Sequence, residues 1–204
     1  MVNERFGRGH IMVNVGFICE GDSDALLFQS NTFNNFLQQI NITRVNVINA
    51  EGCGNLLPHY IEGYVRSLEN KGAEKIVIVS DLDDVECITL RKQQINARAK
   101  DNVIIAAKEI EAWYLADSVA MRNLLRRQHF IYDHPEQELE PFLIINQLLI
   151  EHTERGIGKS KSAKLKLAQR MLEFGFDFQR CSEHPDCPSA TYFVNKLRLI
   201  GQDN

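Results

Sequence analysis

Apolar runs alternate with helical patterns along the first part of the chain. Strands are predicted at four short apolar segments, residues 11–19, 44–50, 75–80 and 102–107. Apolar residues at helical spacing follow three of them, in segments 23–40, 56–72 and 85–99. Four strands separated by three helical segments and joined by short loops predict an α/β fold. Its sheet is expected to be parallel, with right-handed crossovers and helices on its faces.

The pattern changes after Asp117. A short helix is predicted at 118–127, followed by an acidic, proline-containing link at 129–142. Further helices are predicted at 141–153, 160–173 and 190–199. We therefore expect an α/β domain at 1–120 and a helical extension at 121–204 that packs on it.

Composition narrows the class of protein. The 204 residues are 44% hydrophobic and 25% charged, with a formal net charge of −4, so nucleic-acid binding would need a local basic patch. The five cysteines are scattered, and no signal peptide is recognised in the polar first residues. No apolar run approaches the roughly 18 residues of a membrane helix. These features predict reduced thiols, a cytoplasmic location and no membrane contact.

Carboxylates follow three of the four predicted strands. They are Glu20, Asp22 and Asp24 after the first, Asp81, Asp83 and Asp84 after the third, and Glu109 and Glu111 after the fourth. Ligands of open parallel sheets bind at the carboxyl ends of the strands. Each cluster alone is typical of a solvated turn, but three clusters at one edge predict a Mg²⁺ or Mn²⁺ site. The strand order, which sets how near the clusters come, is not encoded in a readable pattern.

Two of these clusters carry a family resemblance. "EGDSD" after one strand and "DLDD" after a later one resemble the TOPRIM domain of primases, type IA and II topoisomerases and OLD-type nucleases. The signature of that domain is a Glu ending the first strand, matched by Glu20, and an Asp-x-Asp ending the third, matched by Asp81 and Asp83.

The resemblance extends beyond the signature. The segments "EGCGNLL" and "EIEAWYLAD" resemble a small bacterial TOPRIM-like family related to OLD-type nucleases, and the likeness covers about residues 11–117. It implies a TOPRIM-like, Rossmann-like fold. OLD-type nucleases carry an ATPase on the same chain and this chain shows none. The resemblance therefore implies a separate ATPase partner in a defence or repair system.

The resemblance also implies a chemistry, Mg²⁺- or Mn²⁺-dependent hydrolysis of phosphodiester bonds in DNA or RNA. Asp81 and Asp83 would hold the metal. Glu20 would complete the coordination or act as general acid or base. Glu111 would be a further ligand or serve a second metal, and Asp24 is counted with the ligands.

A basic run at 155–170 is the candidate surface for nucleic acid. Phosphate contacts are predicted for Arg155, Lys159, Lys161 and Lys164, although such runs also occur as solvated faces. "GIGKS" within it is similar to a phosphate-binding P-loop, but no strand precedes it. Thr153 also stands where the first glycine belongs, so no nucleotide cofactor is predicted.

Other interpretations remain open. "VIVSDLDD" also resembles the HAD phosphatase motif, with Asp81 as nucleophile, although that motif normally follows the first strand of its fold. A response-regulator receiver would need a lysine after a fifth strand. The third alternative is a non-catalytic module that binds metal or nucleic acid. Trp113 and Tyr114 are predicted to belong to the core, and Asp117 either caps a helix or serves the site.

Overall fold

A computed structural model describes residues 12–95, 98, 102–158, 160 and 162–202. Its centre is a four-stranded sheet in which all neighbouring strands are parallel and the order is β2-β1-β3-β4. The strands are β1 (Val13–Cys19), β2 (Ile42–Asn49), β3 (Lys75–Asp81) and β4 (Asn102–Ala106). The predicted α/β fold with a parallel sheet is confirmed.

Helices cover both faces of the sheet. They are α1 (Asp22–Gln29), α2 (Asn31–Gln39), α3 (Pro58–Asn70), α4 (Ile88–Ile95), α5 (Glu111–Ala116), α6 (Ser118–Leu125), α7 (Pro141–Thr153), α8 (Ala163–Glu173), α9 (Phe178–Ser182) and α10 (Pro188–Ile200). Helices α3 and α4 supply core residues to one face, and the other eight helices just named supply them to the other.

Strand β3 shows why the sequence forms a central strand. Its apolar residues are buried on both faces, with Val77 and Val79 in one core and Ile76 and Ile78 in the other. Successive side chains of a strand point to opposite faces, so a continuous β-branched run is what a sheet covered on both sides requires.

The predicted helix at 23–40 is wrong in one respect, because it is two helices broken at Ser30. Ser30 has an extended backbone (φ −62°, ψ 156°), and its side chain accepts a hydrogen bond from the Phe33 amide at 3.1 Å. Serine favours such caps over helix interiors. The guanidinium of Arg44 donates to the Phe28 carbonyl at 2.7 Å and to the Ser30 carbonyl at 3.2 Å.

Other boundaries also differ from the predictions. Strand β2 begins at Ile42, and α4 spans Ile88–Ile95, inside the predicted 85–99. Helices α5 and α9 are too short for periodicity to reveal and were not predicted. The helices predicted near 141–153, 160–173 and 190–199 are confirmed as α7, α8 and α10.

An aromatic cluster joins the early and late parts of the chain. Phe33 of α2 lies 4.8 Å from Phe178 of α9, and Phe28 of α1 lies 5.8 Å from Phe193 of α10, measured between ring centroids. These residues belong to one core that runs from β1 to α10. The helices after residue 120 therefore pack on the α/β unit, while the domain boundary at that residue stays a prediction.

All five cysteines are free thiols, with Cys19, Cys181 and Cys187 buried and Cys53 and Cys87 exposed. Among the residues placed by the structure, no helix is long and apolar enough to cross a membrane.

Candidate metal centre

The strand order brings the predicted acidic ends together. Strand β1 pairs with β3, and β3 pairs with β4, so three acid-bearing ends lie side by side at one edge. The backbone amide of Asp81, the last residue of β3, donates to Glu20 Oε1 at 3.1 Å. Glu20 and Asp81 are thus direct neighbours although 61 positions separate them in sequence.

Glu20 is fixed by a buried arginine that the sequence analysis missed. Its Oε1 accepts hydrogen bonds from Arg91 Nη2 at 2.8 Å and from the Ser80 hydroxyl. Arg91 is only 5% exposed, and its Nε donates to Ser80 Oγ at 2.9 Å. One oxygen of Glu20 therefore carries several donors, and none of the described residues donates to Oε2. No pattern in helix α4 indicates this role, because it depends on the tertiary fold.

Asp24, Asp81 and Glu111 form an inner cluster of carboxyl groups. Burial raises the pKa of Asp24 to about 6, and the nearby Glu20 charge adds to the shift. Burial likewise raises the pKa of Glu111 to about 7, against the opposing charge of Lys164. The pKa of Asp81 is well above its usual range because of burial and the charges of Asp24, Glu111 and Glu20. Asp81 Oδ1 accepts a hydrogen bond from the Ile110 amide at 3.0 Å.

Lys164 reaches into this cluster from helix α8. Its Nζ lies 2.8 Å from Glu109 Oε1 and 3.6 Å from Glu111 Oε2. Burial alone would lower the pKa of Lys164, but Glu111, Glu109 and Asp81 together raise it above its ordinary value. The contact of Lys164 with nucleic acid stays a prediction, and in this structure its partners are acids.

The rest of the predicted basic surface is only partly described. Arg155 is exposed, as a phosphate-contacting residue would be. The predicted contacts of Lys159 and Lys161 lie outside the described residues.

Two buried oxygen atoms beside the inner cluster lack a hydrogen-bond partner among the described residues, Glu109 Oε2 and the Tyr114 hydroxyl. Tyr114 is fully buried and packs edge-on against Phe176 at 5.0 Å, as predicted for a core residue. Burial raises the pKa of Tyr114, with further contributions from Glu111, Asp24 and Asp81. Unpartnered oxygens beside several carboxylates are a donor set suited to a hard cation.

An outer group consists of Glu20, Asp83 and Cys53. One potential ligand atom from each lies within 4.8 Å of those of the other two. Asp83 is exposed and has a left-handed backbone (φ 48°), which aspartate tolerates. Its amide donates to the Lys108 carbonyl at 3.0 Å. The three predicted signature residues are thus divided: Glu20 and Asp83 lie in the outer group, and Asp81 lies in the inner cluster. Cys53 was not predicted, although "EGCGNLL" follows a strand that pairs with β1.

Several other candidates have structural roles. Asp117 caps α6, because its Oδ1 accepts from the Val119 and Ala120 amides, both at 3.1 Å. Trp113 is fully buried and donates through Nε1 to Ser189 Oγ at 2.8 Å, which confirms it as a core residue.

Comparisons with known proteins add little to this geometry. No protein-family model matches the chain, and no curated protein matches it. Among solved structures, the chain is similar to the C-terminal region of the Burkholderia pseudomallei OLD protein, with 15% sequence identity. The alignment covers 92% of this chain and 99% of that one, with a TM-score of 0.44. A likeness this distant carries no argument about activity.

Proposed function

We propose that the chain hydrolyses phosphodiester bonds of nucleic acid with the help of Mg²⁺ or Mn²⁺. One observation carries the proposal: carboxylates from the ends of β1, β3 and β4 gather where burial raises the pKa values of Asp24, Asp81 and Glu111. Like charges in a buried site are unfavourable unless a cation compensates them. The resemblance to TOPRIM signatures supports the same chemistry.

The metal ligands we propose are Glu20, Asp24, Asp81, Asp83 and Glu111. Carboxylate oxygens are the preferred donors of Mg²⁺ and Mn²⁺, and the buried Glu109 Oε2, without a hydrogen-bond partner among the described residues, adds a donor of the same type. When bound, such a cation polarises a phosphate and lowers the pKa of a water molecule.

The remaining residues hold the ligands and balance charge. Arg91, Ser80 and the Asp81 amide fix one oxygen of Glu20, which leaves the other for a cation. The Ile110 amide holds Asp81 in the same way. Lys164 supplies a positive charge inside the site, suited to a phosphate as well as to acids. Arg155 with Lys159 and Lys161 would extend the contact along the backbone of the nucleic acid.

The phosphatase alternative is less favoured by the position of Asp81. The phosphatase motif normally follows the first strand of its fold, whereas Asp81 ends β3, the third strand along the chain. A separate ATPase partner in a defence or repair system belongs to the same proposal and rests on the resemblance alone.

The test is metal-dependent cleavage of single- and double-stranded DNA and RNA, with and without a chelator. We expect Asp81→Asn and Glu20→Gln to lower the cleavage rate about 100-fold or more, because each change removes a metal ligand. The exposed neighbour Asp84 provides the matched control, Asp84→Asn, which should cleave as the parent does.

Thermal melting of the same variants separates a site from a structural acid. Mg²⁺ or Mn²⁺ should raise the melting temperature of the parent and of Asp84→Asn, but much less that of Asp81→Asn. An equal rise in Asp81→Asn would show that the cation binds elsewhere. Metal binding without cleavage of any substrate would favour the non-catalytic module.

A further inference from the structure

We infer that Cys53 completes, with Glu20 and Asp83, a site for a thiophilic divalent cation of the Zn²⁺ or Co²⁺ type. The three potential ligand atoms lie within 4.8 Å of one another. The inference deepens the proposed function and rests on it, because Glu20 and Asp83 belong to both. It concerns which metal the outer part of the centre selects.

The spacing suits such an ion after small side-chain movements. Zn–S and Zn–O bonds of about 2.3 and 2.1 Å place two ligands about 3.6 Å apart in a tetrahedron, or about 4.4 Å apart across the ion. The ligand atoms of Glu20, Cys53 and Asp83 are separated by up to 4.8 Å, which is slightly longer than these ligand–ligand distances. Cys53 and Asp83 are both exposed, so rotation of their side chains can shorten them without disturbing the core.

The backbone ties Cys53 to one of its partner ligands. Cys53 begins a single 3₁₀ turn, Cys53–Leu56, after strand β2, which pairs with β1. The Gly52 amide donates to the Glu20 carbonyl at 2.7 Å, and Asn55 Nδ2 donates to the Ala50 carbonyl at 2.7 Å. Gly52 has φ 126°, a conformation that favours glycine. The turn that carries Cys53 is therefore fixed directly to the backbone of Glu20.

The chemistry of the three ligands determines the metal. Thiolate ligands favour Zn²⁺ and related soft or borderline ions, whereas Mg²⁺ prefers oxygen ligands alone. Glu20 uses Oε1 for Arg91 and Ser80, while Oε2 accepts no hydrogen bond from the residues placed by the structure. Cys53 is a free, exposed thiol, in contrast to the buried Cys19 of the neighbouring strand.

A Co²⁺ titration of the full chain tests the inference. We expect the parent to develop a near-ultraviolet sulfur-to-cobalt charge-transfer absorption that saturates with added metal. Cys53→Ser should lose this absorption and bind Co²⁺ roughly tenfold more weakly or worse, a change of about 1.4 kcal/mol. Cys87→Ser is the matched control, since Cys87 is the other exposed thiol, and it should behave as the parent.

A second measurement uses alkylation of the thiols, followed by mass spectrometry. Zn²⁺ should slow the alkylation of Cys53 and leave that of Cys87 unchanged. Equal charge-transfer absorption in Cys53→Ser and parent, or equal alkylation rates with and without Zn²⁺, would overturn the inference. Melting without metal verifies that Cys53→Ser is folded.

The inference and the proposed function fail in different ways. A sulfur-to-cobalt absorption that depends on Cys53, in a protein that cleaves no nucleic acid, would contradict only the proposed function. Mg²⁺-dependent cleavage by a parent that shows no such absorption would contradict only the inference.

Discussion

Helix α5 begins with one buried carboxylate and is followed directly by another, and the two have different surroundings. Asp117, fully buried, follows its last residue and accepts hydrogen bonds from three backbone amides and one guanidinium. The donors are Val119, Ala120, Asp177 and Arg180. Glu111, 2% exposed, is its first residue and has Lys164 Nζ at 3.6 Å with further acids nearby.

The two carboxylates differ in how many hydrogen-bond donors the fold supplies, and this number separates a structural acid from a candidate ligand. A buried carboxylate with a full set of donors is stabilised by the fold itself. A buried carboxylate that shares one lysine with other acids is not stabilised in this way. Burial accordingly raises the pKa of Glu111 to about 7. Backbone amides and a guanidinium thus surround Asp117, whereas Glu111 has one lysine that it shares with other acids.

Matched amide substitutions at the two carboxylates should give the largest difference in stability. Asp117→Asn replaces the oxygen that accepts from Arg180 Nη2 and the Asp177 amide with an NH₂ group, so we expect the free energy of unfolding to fall by about 3 kcal/mol. Glu111→Gln removes a charge that neighbouring acids repel, so the free energy of unfolding of the metal-free protein should stay unchanged or rise. Urea unfolding at neutral pH with a chelator measures both. Equal losses in the two variants would mean that Glu111 is also a structural acid.

Removal of the Arg91 side chain should give the next largest change, a loss of affinity for Mn²⁺. We expect Arg91→Ala to weaken Mn²⁺ binding by about 10–100-fold, because the hydrogen bond from Arg91 holds the proposed ligand Glu20 in position. Added guanidinium should restore part of the affinity, which a purely structural loss would not allow. Gln93→Ala, at an exposed position on the same helix, is the control. Unchanged Mn²⁺ affinity in Arg91→Ala would show that Glu20 needs no support.

The smallest expected change is in how the stability of the metal-free protein depends on pH. The folded pKa values of Asp24, about 6, and Glu111, about 7, lie above their unfolded values of 3.8 and 4.5. The folded state therefore binds more protons in this interval, and its stability without metal falls as the pH rises from about 4 to about 7. One pKa unit corresponds to about 1.4 kcal/mol, so each pH unit over which the folded state holds one extra proton lowers the free energy of unfolding by about that amount.

Unfolding of the metal-free parent between these pH values measures the fall. Asp24→Asn should flatten the dependence, whereas the exposed Asp84→Asn should leave it unchanged. An identical slope in parent and Asp24→Asn would show that Asp24 has an ordinary pKa in the folded protein.

Much of the fold was predictable because it depends on local patterns. Strand β3 is a continuous apolar run, and the acids that follow it had to lie at the carboxyl edge of a parallel sheet. Arg91 and Cys53 were not predictable, because their roles depend on the strand order and on one helix packing beside Ser80. Lys164 was recognised as part of a basic run, but its acidic partners could not be predicted, because they depend on the docking of α8 against α1.

That docking has a consequence for the order in which the protein is made. The acids of β1, β3 and β4 leave the ribosome before Lys164 does, since helix α8 comes after all three strands in the chain. A nascent chain that stops short of α8 carries the inner carboxylates without their ammonium partner. The inner carboxylates gain this positive charge only once helix α8 has been synthesised and has packed against α1.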